Sequence, residues 1–226
     1  MDNMLLLKKK LGEIGKVLTN KQYEEYLLDS HNVIKPIYVS SIVERENLYA
    51  TIENKIIDGK NYVILTEKIL PYYLTFLLNS LFCKTVLFDG KINALRKVKI
   101  NKKIISDLEL VIVEEQLQLY YEIAERLRQS VFTLFDDSNL NPEKVEVMIS
   151  IFDNLCNALA LELYLDPILE ELDIHIFQYW KEVVDTITDH NTADLLIKAL
   201  TNRNSPLRNQ MMKLYMYATQ ISSKIK

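Results

Sequence analysis

Short alternating apolar runs mark the first third of the chain, and long helical periodicities mark the rest. Ile37-Tyr38-Val39 and Tyr62-Val63-Ile64-Leu65 are β-branched and aromatic, and the second follows the turn composition Asp58-Gly59-Lys60-Asn61. Both predict strands. Pro71 opens PYYLTFLLNSLF, where proline suits a first helical turn and the apolar residues recur around a helix. After the Asp89-Gly90 turn signal comes KINALRKVKINKK, in which Lys97, Lys99 and Lys102 alternate with Val98 and Ile100. That alternation predicts a strand with one basic face and one buried face. Residues 108–113 predict a last short strand.

From Glu114 the period changes. Val113, Leu117, Tyr120, Ala124, Leu127, Val131 and Leu134 are spaced alternately by four and three residues, an a/d seam over three heptads. Such a seam suits either packing on the helix's own domain or pairing with a second helix. Asp136-Asp137-Ser138-Asn139 predicts a boundary, and Asn141-Pro142-Glu143 a helix start: a capping side chain, a preset φ, then an acid. Val145, Met148, Phe152, Leu155 and Leu159 share one face of that helix, and Asp166-Pro167 is expected to end it. Further helices are expected around residues 174–187 and 192–200, with a final one capped by Ser205 and opened by Pro206. The expected fold class is therefore α+β: a small mixed α/β domain over residues 1–112, a spacer helix over 113–136, and an all-α tail over 139–226.

Composition sharpens that division. With four glycines and five prolines in 226 residues, a turn-rich all-β fold is disfavoured. The net charge of −4 hides a contrast: residues 1–105 carry 17 Lys+Arg against 11 Asp+Glu, and residues 106–226 carry 10 against 20. Such asymmetry predicts two parts with different partners. Cys83 and Cys156 lie in apolar surroundings and predict buried reduced thiols in a cytoplasmic protein. The uncharged stretch 69–83 is too short to span a bilayer, so no membrane association is expected.

Candidate chemistry is sparse. His31, His175 and His190 have no carboxylate or cysteine at ligand-like spacing, so no metal is expected. Gly12 and Gly15 lack the rest of a phosphate-loop pattern. Glu162, Glu170 and Glu171 read as solvated helix faces. The expectation is a non-enzymatic chain without a cofactor. What remains is basic: Lys84, Lys91, Arg96, Lys97, Lys99, Lys102 and Lys103 are opposed only by Asp89. These can neutralise phosphates, while Asn93, Arg96 and Asn101 can read base edges. Lys8-Lys9-Lys10 forms a second, weaker patch.

The stretch 62–129 resembles the end of a target-recognition domain in type I restriction-modification specificity subunits. The matching residues are Tyr62-Val63-Ile64-Leu65, Pro71-Tyr72-Tyr73-Leu74, Leu77-Leu78-Asn79-Ser80, Gly90, Ile104-Ile105-Ser106-Asp107-Leu108 and Glu115-Gln116. KLGEIGKV, residues 10–17, is similar to the segment that begins such domains. Ile112-Val113-Glu114 stands where the family has a proline pair before its Glu-Gln, and one recognition domain stands where a full subunit has two. Asp153-Asn154-Leu155, Ala160-Leu161-Glu162-Leu163-Tyr164, Pro167 and Asn204-Ser205-Pro206-Leu207-Arg208 are similar to the region after the specificity segment of single-chain restriction-methylation enzymes. The resemblance implies a DNA-recognition module whose long helix pairs with a counterpart and docks a methyltransferase. Methylation or cleavage, with S-adenosylmethionine or ATP, would belong to that partner. A homodimer through the spacer helix would restore two-fold readout of double-stranded DNA. The alternative is a protein-interaction module that keeps the recognition fold without reading DNA.

Overall fold

The computed structural model describes residues 7–29, 34–44, 47–53, 61–88, 97–134, 141–187 and 192–224. It is a mixed α/β fold with small antiparallel sheets and long helices. Contacts divide the chain into two units, Met1–Gln129 and Ser130–Lys226.

The first unit runs β1 (Leu7–Lys10), α1 (Leu11–Ile14), β2 (Lys16–Thr19), α2 (Asn20–Asp29), β3 (Ile37–Ser40), β4 (Ile42–Glu44), β5 (Ala50–Thr51), β6 (Asn61–Leu65), α3 (Pro71–Asn79), α4 (Leu81–Phe88), β7 (Lys97–Lys99), α5 (Lys102–Ser106), β8 (Glu109–Ile112) and the start of α6 (Glu115–Leu134). Its main sheet has the order β2-β6-β3-β5, and two ribbons pair β1 with β8 and β4 with β7. In the sheet Val17 faces Ile64 and Tyr38 faces Val63 across antiparallel ladders. Val17, Ile37, Val39, Val63, Ile64 and Leu65 are buried, which explains why the β-branched runs form these strands. Residues 73–79 of α3 are all buried, and the Tyr73 hydroxyl donates to Val111 O at 2.8 Å.

Two expected elements come out shorter. The PYYLTFLLNSLF helix divides at Ser80, whose extended backbone (ψ 147°) ends α3. Its Oγ accepts from Cys83 N at 3.2 Å, so the same residue caps the start of α4. The basic strand stops at Lys99, because Asn101 Oδ1 accepts from Ile104 N at 3.0 Å and caps α5. Lys102 thus sits on a helix rather than on the expected strand.

The expected spacer helix is present as α6, but the unit boundary falls inside it, and residues 115–129 belong to the first unit. Its best-bonded face is not the apolar seam. Gln118, Tyr121, Glu125, Arg128 and Gln129 are buried, on a stripe about 100° round the helix from that seam. Along the seam Val113, Ala124 and Val131 are buried, and Leu117, Tyr120 and Leu127 are half-buried. The side chain of Leu134 lies outside the described residues.

The second unit is helical throughout its described length: the end of α6, α7 (Pro142–Glu171), α8 (Ile176–Asp185), α9 (Thr192–Thr201), α10 (Pro206–Met216) and α11 (Ala218–Lys224). Asn141 Oδ1 accepts from Glu143 N at 2.9 Å, the expected cap with Pro142 at the first helical position. Ser205 caps α10 in the same way through Arg208 N. Of the expected α7 face, Val145, Phe152, Leu155 and Leu159 are buried and Met148 is exposed. As expected, the regular helix stops just before Asp166-Pro167: Leu165 is non-helical (φ −123°, ψ 18°), because proline lacks an N–H and its ring crowds the carbonyl of residue 163. A second short helical stretch then runs on to Glu171, so that α7 is two helices joined at a kink. By length and composition α7 could cross a membrane; here eleven of its residues, Glu162 among them, are buried within the fold. The chain then turns at Asp173 in the left-handed region (φ 52°), which aspartate tolerates better than most residues. Lys213 Nζ holds that turn, donating to Asp173 O at 2.6 Å and Oδ2 at 2.7 Å.

Candidate nucleic-acid interface

The basic segment is built on the β4–β7 ribbon and the short helix that follows it. Register sets Ile42 against Lys99, Val43 against Val98 and Glu44 against Lys97. Val43 and Val98 are buried, so period-2 alternation turns Lys97 and Lys99 to solvent together. One turn of chain later α5 presents Lys102, half-buried, and Lys103, exposed. Four of the nine expected DNA-contacting residues therefore share one surface region: Lys97, Lys99, Lys102 and Lys103.

Their electrostatic states differ. Lys97 Nζ lies 2.6 Å from Glu44 Oε1, which spends part of its charge locally and holds the Glu44 carboxyl below its usual range. Lys102 Nζ donates to Gln22 Oε1 at 3.0 Å. Lys99 and Lys103 form no ion pair with a described carboxylate. Asn101, exposed, uses its side-chain oxygen as the α5 cap, so base reading would compete with that hydrogen bond.

Lys84 is a correction. It is only 4% exposed, and its ammonium donates to Asn47 O at 2.8 Å. Placed on the inner face of α4, it is a structural cation and cannot reach a phosphate without leaving the core. Lys91, Asn93 and Arg96 lie outside the described residues, as do His31 and His190.

The first unit also contains a buried polar network that the sequence pattern does not announce. Asn79 Oδ1 accepts from Tyr49 N at 2.9 Å and Ala50 N at 3.0 Å. Its Nδ2 donates to Ala50 O at 2.7 Å and Glu125 Oε1 at 3.0 Å. Glu125 Oε1 also accepts from Gln129 Nε2 at 2.7 Å, and its Oε2 accepts from Arg128 Nε at 2.9 Å and again from Arg128 Nη2. Glu125 and Arg128 are both fully buried. One asparagine thus ties α3, the strand β5 and α6 together. The legible signal was an Asn at a helix end and a Glu-x-x-Arg between apolar residues. Only packing shows that these polar positions face inward.

Among the described residues no three His, Cys, Asp or Glu side chains are placed to hold a metal ion. Cys83 is buried against the Tyr49 hydroxyl at 3.4 Å, and burial pushes its thiol up to about 11, which keeps it protonated and unreactive. Cys156 is also a buried, unbridged thiol. His175, half-buried, sits 3.3 Å from Asp173. Glu170 and Glu171 are exposed as expected, but Glu162 is not a solvated face. It is 2% exposed, its carboxylate meets the first amides of α8, and burial pushes its carboxyl up to about 8.

Dividing the chain where its contacts divide narrows the charge contrast. Met1–Gln129 holds 19 Lys+Arg against 17 Asp+Glu, and Ser130–Lys226 holds 8 against 14. The change comes from six acids of residues 106–129, Asp107, Glu109, Glu114, Glu115, Glu122 and Glu125, against two arginines. Compared with protein-family models, curated proteins and solved structures, the chain matches none.

Proposed function

We propose that this chain is a non-catalytic DNA sequence-recognition module of a restriction-modification system, cytoplasmic, that directs a partner adenine methyltransferase or nuclease to its site. The observation that carries the reading is the lysine surface of β7 and α5, where Lys99 and Lys103 are exposed and pair with no carboxylate among the described residues. Unpaired surface lysines are the groups that exchange counterions for phosphates, and phosphate contacts dominate the affinity of DNA readers. The half-buried seam residues Leu117, Tyr120 and Leu127 of α6 support the second part. They leave apolar surface for a partner helix, from a second copy or from the methyltransferase. The cofactor of methylation or cleavage then belongs to the partner.

The test is fluorescence anisotropy with duplex DNA over a salt series. Binding that weakens steeply with salt, and is lost when Arg96, Lys97 and Lys99 become alanine, supports the reading. A triple variant that binds as the parent does removes this site.

A second reading is a protein-interaction module that kept the recognition fold but does not read DNA. It is favoured by the pairing of Lys97 with Glu44 and by the burial of Lys84, which together take two cations out of the expected patch. Absence of DNA binding at low salt with retained binding to a methyltransferase decides for it.

A further inference from the structure

The tripeptide Lys8-Lys9-Lys10 is remote in sequence from the β7–α5 lysines, yet the fold carries it to their side. β1 pairs antiparallel with β8, setting Lys8 against Val111, Lys9 against Leu110 and Lys10 against Glu109. The next residue, Leu11, donates its N–H to Leu108 O at 2.9 Å. α1 then lies so close to α5 that a Cβ on Gly12 would stand 3.2 Å from Ser106 O. Lysine side chains before α1 and at the start of α5 are therefore separated by little more than the length of α5. Six residues of helical rise from Leu108 back to Lys102, plus one strand step, amount to about 10–15 Å. That is close to the width of the DNA major groove, about 12 Å.

All three β1 lysines are exposed, and like Lys99 and Lys103 they form no ion pair with a described carboxylate. Some other surface lysines do carry an ionic partner, such as Lys21 with Glu25 and Lys181 with Asp185. The nearby exposed acids are Glu13, Asp107 and Glu109, fewer than the lysines around them.

We propose that Lys8 and Lys10, which alternation sets on one face of β1, join Lys99, Lys102 and Lys103 in one surface that holds the phosphates of duplex DNA on both sides of a groove; this rests on the DNA-recognition reading above. The two segments act as a clamp whose halves are fixed to each other by the β1–β8 ladder and the α1–α5 contact. Each lysine on a phosphate adds about 0.9 to the slope of log affinity against log salt. Because the contacts go to phosphates, their loss weakens all sequences alike and leaves base preference unchanged.

The experiment compares full-length parent, Lys8→Gln/Lys9→Gln/Lys10→Gln, and a charge-matched control, Lys144→Gln/Lys181→Gln/Lys198→Gln, in salt-dependent anisotropy on two duplexes of equal length, one AT-rich and one GC-rich. The expected result is a salt slope reduced by about 2 in the β1 variant, equally on both duplexes, and a parental slope in the control. Parental affinity and slope in the β1 variant overturn the clamp while leaving DNA recognition by Arg96, Lys97 and Lys99 standing. Equal losses in both variants overturn it too, since they indicate a net-charge effect. Edge lysines also discourage strand pairing. If that is their only role, the β1 variant self-associates in sedimentation and binds DNA as the parent does, which likewise overturns the clamp. Failure of the parent to bind any duplex at low salt overturns the DNA reading and the clamp with it.

Discussion

Glu162 offers the sharpest quantitative test of the helical unit. It projects from α7 just before the Pro167 kink, and its Oε2 accepts from Phe177 N at 2.5 Å at the start of α8. Two forces oppose each other there. The N-terminal dipole and amides of α8 favour the carboxylate, while burial disfavours it. Burial dominates and pushes the carboxyl up to about 8 from its ordinary 4.5. Its Oε1 is buried and has no hydrogen-bond partner among the described residues, so a neutral hydroxyl there costs less than half of a carboxylate charge.

The sign follows from proton binding. The folded state holds this proton more tightly than the unfolded state, so its contribution to stability is complete below about pH 4.5 and is lost as pH rises through about 8. With roughly 1.4 kcal/mol per pH unit, the parent loses about 2–3 kcal/mol between pH 5 and pH 7 from this group alone. Glu162→Gln cannot ionise and lacks that slope. Its amide leaves a donor where Oε1 now sits, a roughly constant cost of about 1–2 kcal/mol. The variant is therefore expected to be less stable than the parent at pH 5 and more stable at pH 7. Trp180, the single tryptophan of the chain, is fully buried on α8, so urea unfolding followed by its fluorescence reports this unit. Subtracting the variant from the parent cancels the titrating groups that do not interact with Glu162; Asp166, also raised by burial, adds to the rise at Glu162 and stays in the difference. A parent-minus-variant difference that stays flat from pH 5 to pH 7.5 would refute the reasoning and make Glu162 an ionised helix cap.

Three further predictions address the first unit. Asn79→Ala strands the amides of Tyr49 and Ala50 and the carbonyl of Ala50, and is expected to cost about 3 kcal/mol or more in denaturant unfolding followed by circular dichroism. Arg128→Met leaves Glu125 buried without its counter-charge, at an expected cost of about 3–5 kcal/mol, whereas the double variant with Glu125→Met loses less than the sum of the singles; additive losses would show that the pair is not coupled. Lys84→Met is expected to lower stability by about 1 kcal/mol while leaving the salt slope of DNA binding at the parental value. A slope reduced by about 1 would return Lys84 to the phosphate surface.

Much of the local structure was legible because it is written in neighbouring residues. Alternating Ile, Val and Tyr at 37–39 and 62–65 became the paired strands β3 and β6, and Asn141-Pro142 and Ser205-Pro206 became capped helix starts. Asp166-Pro167 likewise marks the break at Leu165 where one helical stretch of α7 gives way to the next. Elsewhere a single polar side chain redirected the backbone in a way that periodicity does not record: Ser80 split a helix, and Asn101 turned a strand into α5.

For the candidate site the division is similar. Sequence determined that Lys97 and Lys99 share a face, because a strand alternates, and that a basic segment exists at all. Only tertiary packing decided which cations reach solvent. Lys84 is drawn inward by the Asn47 carbonyl, Lys97 is matched to Glu44 across a ribbon, and Lys8, Lys9 and Lys10 are carried beside α5 by a ladder formed with residues about a hundred positions away. The same holds for Glu125, Arg128 and Glu162, polar residues whose burial depends on partners distant in sequence. Charge and period are local properties that the chain carries wherever it goes. Exposure, and with it the energy of a charge, is set by what folds on top of it.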